Sequence, residues 1–313
     1  MSLTLEVELE NNWYYVTSPS SLADLRLHAG EITKLIPFWF GITPQGGLVD
    51  QSEPEAIALT RAYRIPVLAI IHNFASPQYE WLIHLVLTDS NLRTALVENI
   101  LAMLEHYGFA GVNIDFEFVP PEDRSLLTAF MEELSARLRP AGYQVTISVP
   151  AQLEDNPAHP FSGAFSYNDL GRVSDQVYIL AYDEHFALPG PVASIGFVRQ
   201  VLDYALSVIT PEKVKLGMPV YGYDWPEWGG VPRTLSHSQV MTLARHTGAS
   251  FRYDEEAQAP TFEYSEDGVR HIVWFENARS FRAKLDLARE RGLAGIGVWR
   301  LGLEDPAVWD LLG

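Results

Sequence analysis

The sequence predicts an α/β chain, a (β/α)8 TIM barrel carrying a small α+β insertion between its seventh and eighth strands. Three observations lead there. Short runs rich in Val, Ile, Tyr and Phe alternate with longer stretches of helical period, which is βα repetition. The chain has 313 residues, twice the length of a typical domain of about 150, which suits one large barrel or two domains. The alternation breaks once, late in the chain, around an acidic turn.

Taken in order, the first strand is expected at 12–18 (NWYYVTS), followed by a helix at 20–30. The second strand is read as one run at 33–42 (TKLIPFWFGI) with its helix at 54–64, and the third at 66–74 (PVLAIIHNF) with its helix at 91–108. The fourth strand, 110–119 (AGVNIDFEFV), precedes a helix at 124–140; the fifth and sixth are 143–151 and 175–185, with a helix at 197–209 after the sixth. The seventh strand is expected at 214–225 (VKLGMPVYGYDW) and the eighth at 294–302 (AGIGVWRLG), preceded by a helix at 278–292. Between these two lie SHSQVMTLARHTG, FRYD and TFEYSEDGVRHIVWF, a helix and strands of their own. The expected organisation is therefore residues 1–225 for seven βα units, 226–275 for the insertion and 276–313 for the last unit. An insertion after a strand's C-terminal end sits on a barrel's active face.

Hydrophobic residues make up 47% of the chain and charged residues 20%, which excludes a disordered, collagenous or coiled-coil protein. With 40 Asp+Glu against 22 Lys+Arg, the net charge of −18 opposes any polyanionic partner, so neither nucleic acid nor an acidic membrane surface is expected. The start MSLTLEVELENN has neither a basic segment nor an apolar one, and no stretch reaches the roughly 18 apolar residues of a membrane span, so a soluble chain is expected. There is no cysteine, which removes disulfides and thiolate chemistry. The nine His lack HExxH spacing, and no GxSxG, GxxxxGK[ST] or GxGxxG is suitably placed. No metal and no cofactor is expected.

The fourth strand is the most informative. Val112, Ile114, Phe116 and Phe118 share one face; Gly111, Asn113, Asp115 and Glu117 share the other. On an antiparallel sheet this would be an ordinary half-exposed strand, but barrel strands are buried on both faces, so the polar row points inward. Carboxylates placed there are costly unless they serve chemistry. Two acids at i and i+2, with Cα atoms about 6.6 to 6.8 Å apart, raise one another's pKa and leave one protonated near neutrality. Glu117, nearer the strand end, is the expected proton donor, and Asp115 beneath it the partner that shares its proton. Neighbours on one strand cannot flank an anomeric carbon from both sides, so the nucleophile must come from elsewhere. A substrate 2-acetamido group fits, with Asp115 orienting its N–H.

Here GVNIDFEF resembles the DxxDxDxE signature of glycoside hydrolase family 18, the chitinase-like barrels, with Ala110 and Asn113 replacing its first two Asp and Glu117 as its acid. The same register is typical of the branch of spore-germination and cortex-fragment-lytic N-acetylglucosaminidases, which LAIIHNF, ILAYDEH, LGMPVYGYDW and GVWRLGLEDPAVW also resemble. The resemblance covers nearly the whole chain. It implies that Tyr182 hydrogen-bonds the acetamide carbonyl, with Asp183 beside it, and that Trp299 is the floor under the reacting sugar. Gly295 and Gly297 share the face of Trp299, leaving room for its ring. Asn113 can only donate or accept hydrogen bonds where the family has an acid. Tyr14, Trp39, His72, Asn73, Tyr221, Tyr223, Trp225 and Trp228 lie near strand ends as candidate sugar platforms.

The expected function is a retaining, substrate-assisted glycosidase cleaving β-linked N-acetylglucosamine bonds in peptidoglycan or cortex fragments. An internally cleaving chitinase and a non-catalytic sugar-binding barrel are the alternatives, and the latter typically lacks the terminal Glu that is present here as Glu117. The expected partner is an N-acetylglucosamine polysaccharide, and the resemblance places such an enzyme at the cell envelope, the spore or outside the cell. A cytoplasmic location is the alternative.

Overall fold

The computed structural model describes residues 9–312; the first eight residues, on which part of the leader reading falls, lie outside them. Eight strands are laid down in parallel: β1 (Glu10–Tyr15), β2 (Lys34–Pro37), β3 (Leu68–His72), β4 (Gly111–Asp115), β5 (Gln144–Pro150), β6 (Gln176–Leu180), β7 (Val214–Pro219) and β8 (Gly295–Trp299). Their order is β2-β1-β8-β7-β6-β5-β4-β3. The ring closes where Leu35 bridges Val67 and the Leu35 N–H donates to Pro66 O at 3.0 Å. This is the (β/α)8 barrel that the alternation implied.

Nine helices are found among the described residues: α1 (Pro19–His28), α2 (Pro54–Tyr63), α3 (Tyr79–Thr88), α4 (Ser90–Tyr107), α5 (Arg124–Leu138), α6 (Tyr167–Val173), α7 (Ile195–Val208), α8 (His237–Thr247) and α9 (Ala278–Glu290). Two of them, α3 and α6, were not expected. Asp89 alone separates α3 from α4, ending the first and capping the second through bonds from Asn91 N and Leu92 N, so no Gly or Pro marks the boundary. At seven residues, α6 is too short to show a period.

Two expected strands are split. The run 33–42 breaks after Pro37, where the Phe38 N–H turns to Tyr15 O at 2.8 Å; it resumes at Phe40–Ile42, which pairs with β3 and with a short strand, Leu48–Asp50. The run 214–225 breaks after Pro219, and Gly222–Pro226 leaves the barrel for a second sheet. That antiparallel sheet has the order 233–235, 222–226, 269–275, 259–266, 252–254. It packs with α8 around Leu235, Val240, Phe262, Val273 and Phe275. A capping box of Ser236 and Gln239 starts α8.

The barrel is filled in layers. At the N-terminal end, Lys215 is fully buried and donates to Glu10 Oε2 at 2.6 Å and Ala294 O at 2.7 Å, with Lys34 on the same carboxylate oxygen. Burial lowers the Lys215 pKa to about 8 despite that pairing. Above lie Tyr14, Ile36, Leu68, Ile70 and Tyr178, then Phe38, Leu180 and Trp299 toward the strand C-termini. Gly297 admits the Tyr178 ring, since a Cβ there would stand 2.7 Å from it. No helix among the described residues is long and apolar enough to cross a membrane.

Candidate active site

β4 delivers its acids to the open end of the barrel. Asp115 is its last residue, buried at 5% exposure, in register with His72 of β3; Glu117 follows two residues on, half-buried. The chain then turns through Phe118, whose φ of 53° is left-handed, a conformation held by packing of its ring on Tyr79 and Phe161. Asn73 holds the turn from the neighbouring strand end. Its Oδ1 accepts from Glu117 N at 3.0 Å, and its Nδ2 donates to Glu117 O at 2.7 Å and to Tyr79 O at 3.2 Å. A short amide thus stands in for a strand and fixes the backbone of the acid.

Both carboxyls resist ionisation. Burial, followed by the negative charges of Asp115 and Asp183, pushes Glu117 up to about 8, and burial also raises Asp115. The pair therefore retains a proton at neutral pH. Glu117, Asp115, Tyr182, Asp183 and Trp299 all line one cavity of about 380 Å³. Burial, with the nearby acids, holds the Tyr182 hydroxyl well above its ordinary pKa, so it is a donor at any working pH; it has no hydrogen-bond partner among the described residues. Beneath Asp115 runs a neutral chain. Tyr14 Oη donates to Ser148 Oγ at 2.8 Å, Ser148 Oγ to Asn113 Oδ1 at 2.7 Å, and Asn113 Nδ2 to Thr146 Oγ1 at 3.0 Å.

The other expected contacts sort differently. Asn113 is fully buried with both ends of its amide taken, and Asn73 is fully buried against Glu117, so neither reaches a sugar. Trp39 is fully buried among the outer core residues, its Nε1 donating to Thr17 Oγ1 at 3.2 Å, because the break after Pro37 turns it away from the barrel mouth. His72 is buried with its ring stacked on Phe38 at 4.0 Å, and Trp225 is buried with Nε1 bonded to Phe186 O. Tyr221 and Tyr223 line a second chamber and donate to Asp183 Oδ1, Tyr223 at 2.8 Å. Tyr14 lines the first cavity, and Trp228 is exposed.

Several cavity residues escaped the sequence reading. Phe161, 41% exposed and packed on Phe118, and the half-buried Phe197 give the cavity apolar lining, and Glu184 accepts from Ser194 N at 2.7 Å at the start of α7. Phe161, an exposed aromatic in a loop without periodicity, carries no mark that separates it from ordinary surface, and Phe197 reads as one more apolar position of a helix. Among the described residues, no group of three or more His, Asp or Glu is placed to hold a metal ion.

Residues 13–304 match Glycosyl hydrolases family 18. The cortical fragment-lytic enzyme of Bacillus anthracis is 35% identical over 294 residues, 90% of this chain and 67% of that protein. The crystal structure of the Bacillus cereus spore cortex-lytic enzyme SleL superposes with a TM-score of 0.91 at 31% identity, covering 97% of this chain and 73% of that one. A chitinase from Chromobacterium violaceum gives the same TM-score and identity, covering 97% and 98%. The chain spans about two thirds of the length of the first curated relatives it matches.

Proposed function

The chain belongs to glycosyl hydrolase family 18, and on that premise we propose that it is a retaining glycosidase that cleaves β-linked N-acetylglucosamine bonds with the substrate's own acetamide as nucleophile. The observation that carries this reading is the pair Asp115 and Glu117 on one strand end, with the Tyr182 hydroxyl in the same cavity.

Glu117, protonated, gives its proton to the glycosidic oxygen as that bond breaks. The acetamide carbonyl oxygen attacks the anomeric carbon from the opposite face, closing an oxazolinium ring. Asp115 accepts from the acetamide N–H and offsets the positive charge that develops there, while Tyr182 donates to the carbonyl oxygen and orients it. Glu117, now a carboxylate, takes a proton from water, which opens the ring from the face the leaving group left. The configuration is retained. Trp299 supplies the apolar floor for the sugar.

The substrate is peptidoglycan or its cortex fragments, and the protein acts at the spore or cell envelope. The spore cortex-lytic names of the relatives support this choice. Endo-acting chitinase is the second reading, favoured by the equal likeness to the C. violaceum chitinase. Mass spectrometry of products from purified muropeptides and from chitin oligomers, run side by side, separates the two. Faster release from muropeptides is expected; exclusive cleavage of chitin would overturn the substrate, and cleavage of neither would overturn the activity.

A further inference from the structure

A second chamber of about 570 Å³ adjoins the first and shares Asp183 and Trp299 with it, so a saccharide chain leaving the reacting sugar on that side enters it. Its walls come from three places: Ser20 at the start of α1, the loop Arg300–Leu303 after β8, and Thr234, Ser236 and Gln239 of the second sheet and its helix. The lining is mostly hydroxyls and amides, with Trp299 and Leu303 as apolar members, one carboxylate, Asp183, and one cation, Arg300.

Among the described residues, six of the 18 arginines form no ion pair, and Arg300 is the one of the six that is not exposed. It forms no ion pair among the described residues, and its guanidinium donates to Ser21 Oγ at 3.0 Å. The nearest acids make their hydrogen bonds elsewhere. Glu304 folds back to accept from Gly302 N at 2.8 Å, Leu303 N at 3.0 Å and Trp309 Nε1 at 3.2 Å. Asp183, the one carboxylate lining the chamber, has its Oδ1 taken by Tyr221 and Tyr223. A half-buried guanidinium that no carboxylate hydrogen-bonds, in a chamber lined mostly by hydroxyls and amides, is a site for an anion. Uncharged sugars would leave that guanidinium without a contacting anion, Glu304 offsetting its charge only through space.

Resting on the glycosidase reading above, we propose that this chamber is a saccharide subsite in which Arg300 binds a carboxylate carried by the sugar next to the reacting N-acetylglucosamine. The 3-O-lactyl ether of a muramic acid residue that carries neither a peptide nor a lactam supplies such a carboxylate, and so does a uronic acid. A chitin chain supplies none. Arg300 would then make the enzyme prefer acidic glycans over chitin in spite of its overall charge, because the guanidinium acts at contact distance whereas the distributed surface charge is screened by salt.

The test is calorimetric binding at physiological salt on Glu117→Gln protein, which separates binding from turnover. The probes are a tetrasaccharide of alternating N-acetylglucosamine and N-acetylmuramic acid, its lactyl methyl ester and a hyaluronan tetrasaccharide. The free acid is expected to bind about tenfold or more tightly than the ester. Adding Arg300→Gln should bring that ratio to about one, and Arg300→Lys should retain part of it. Hyaluronan bound as tightly as the muramyl acid supports a carboxylate site and assigns it to ring carboxylates as well; weaker binding assigns it to the lactyl group. Equal affinity for acid and ester with Arg300 in place, or a ratio that survives Arg300→Gln, overturns the proposal. This comparison decides the subsite whether or not the same saccharides are cleaved, so a failure of the activity itself would be seen separately, as no product from wild-type protein.

Discussion

On the proposed mechanism Glu117 must be an acid where most glutamates are carboxylates, and what holds its proton is its place: half-buried, two residues from Asp115 and close to Asp183. Glu117→Gln keeps the shape and removes the proton, so kcat on an unactivated oligosaccharide should fall by about 10² to 10⁴. The same change should stabilise the fold in a pH-dependent way. A carboxyl raised in the folded state to about 8 binds protons more tightly there than in the unfolded chain, so its stabilising effect is full at low pH and is lost as pH rises through 8. The gain in Tm from Glu117→Gln is therefore expected to be larger at pH 9 than at pH 5; an equal gain would show that Glu117 titrates normally. Asp183→Asn removes one of the charges that raise Glu117, so the alkaline limb of the kcat profile should move to lower pH, and an unmoved limb would exclude that coupling. At this scale the acids were legible because Asn113, Asp115 and Glu117 interrupt an otherwise apolar strand. The use of Asn73 was not, since a short amide near a strand end reads equally well as a sugar contact until its partners are seen.

Between elements, the clamp from the end of β3 to the end of β4 sets where Glu117 stands. Asn73→Ala deletes both bonds to the Glu117 backbone, and a displacement of about 1 Å at a reacting group is enough for a hundredfold loss. Steady-state kinetics should show kcat reduced by about 10²-fold with KM within about twofold; a rise in KM alone would make Asn73 a binding residue. The elements themselves were legible wherever a run of Val and Ile coincided with one hydrogen-bonding partner. They were misread where an aromatic run crosses a change of partner, as at Pro37 and Pro219, because side-chain pattern does not report which strand the backbone pairs with. Trp39 was lost as a sugar platform for that reason.

At the level of the whole molecule, the second sheet and the barrel are joined by a buried charge pair. Lys284 of α9 donates to Glu276 Oε2 at 2.8 Å, both residues being almost wholly buried, and Glu276 N bonds to Tyr221 O at 3.1 Å. Lys284→Met leaves a buried carboxylate alone and should cost about 3–5 kcal/mol in urea unfolding near neutral pH, with recovery in Glu276→Gln/Lys284→Met; no loss would mean the pair is dispensable. The barrel as a whole was legible from its alternation, and the division of the cleft into two chambers was not, because Asp183, Trp299 and Arg300 meet only when the last strand closes the ring. The central claim remains that the nucleophile belongs to the substrate. Proton NMR of the first-formed anomer from an aryl β-N-acetylglucosaminide, beside the matching aryl β-glucoside, tests it directly. The β anomer should appear first and the glucoside should be slower by many orders of magnitude, since an aligned intramolecular nucleophile has an effective molarity of roughly 10⁵ M or more; an α anomer, or comparable hydrolysis of the glucoside, would contradict the mechanism.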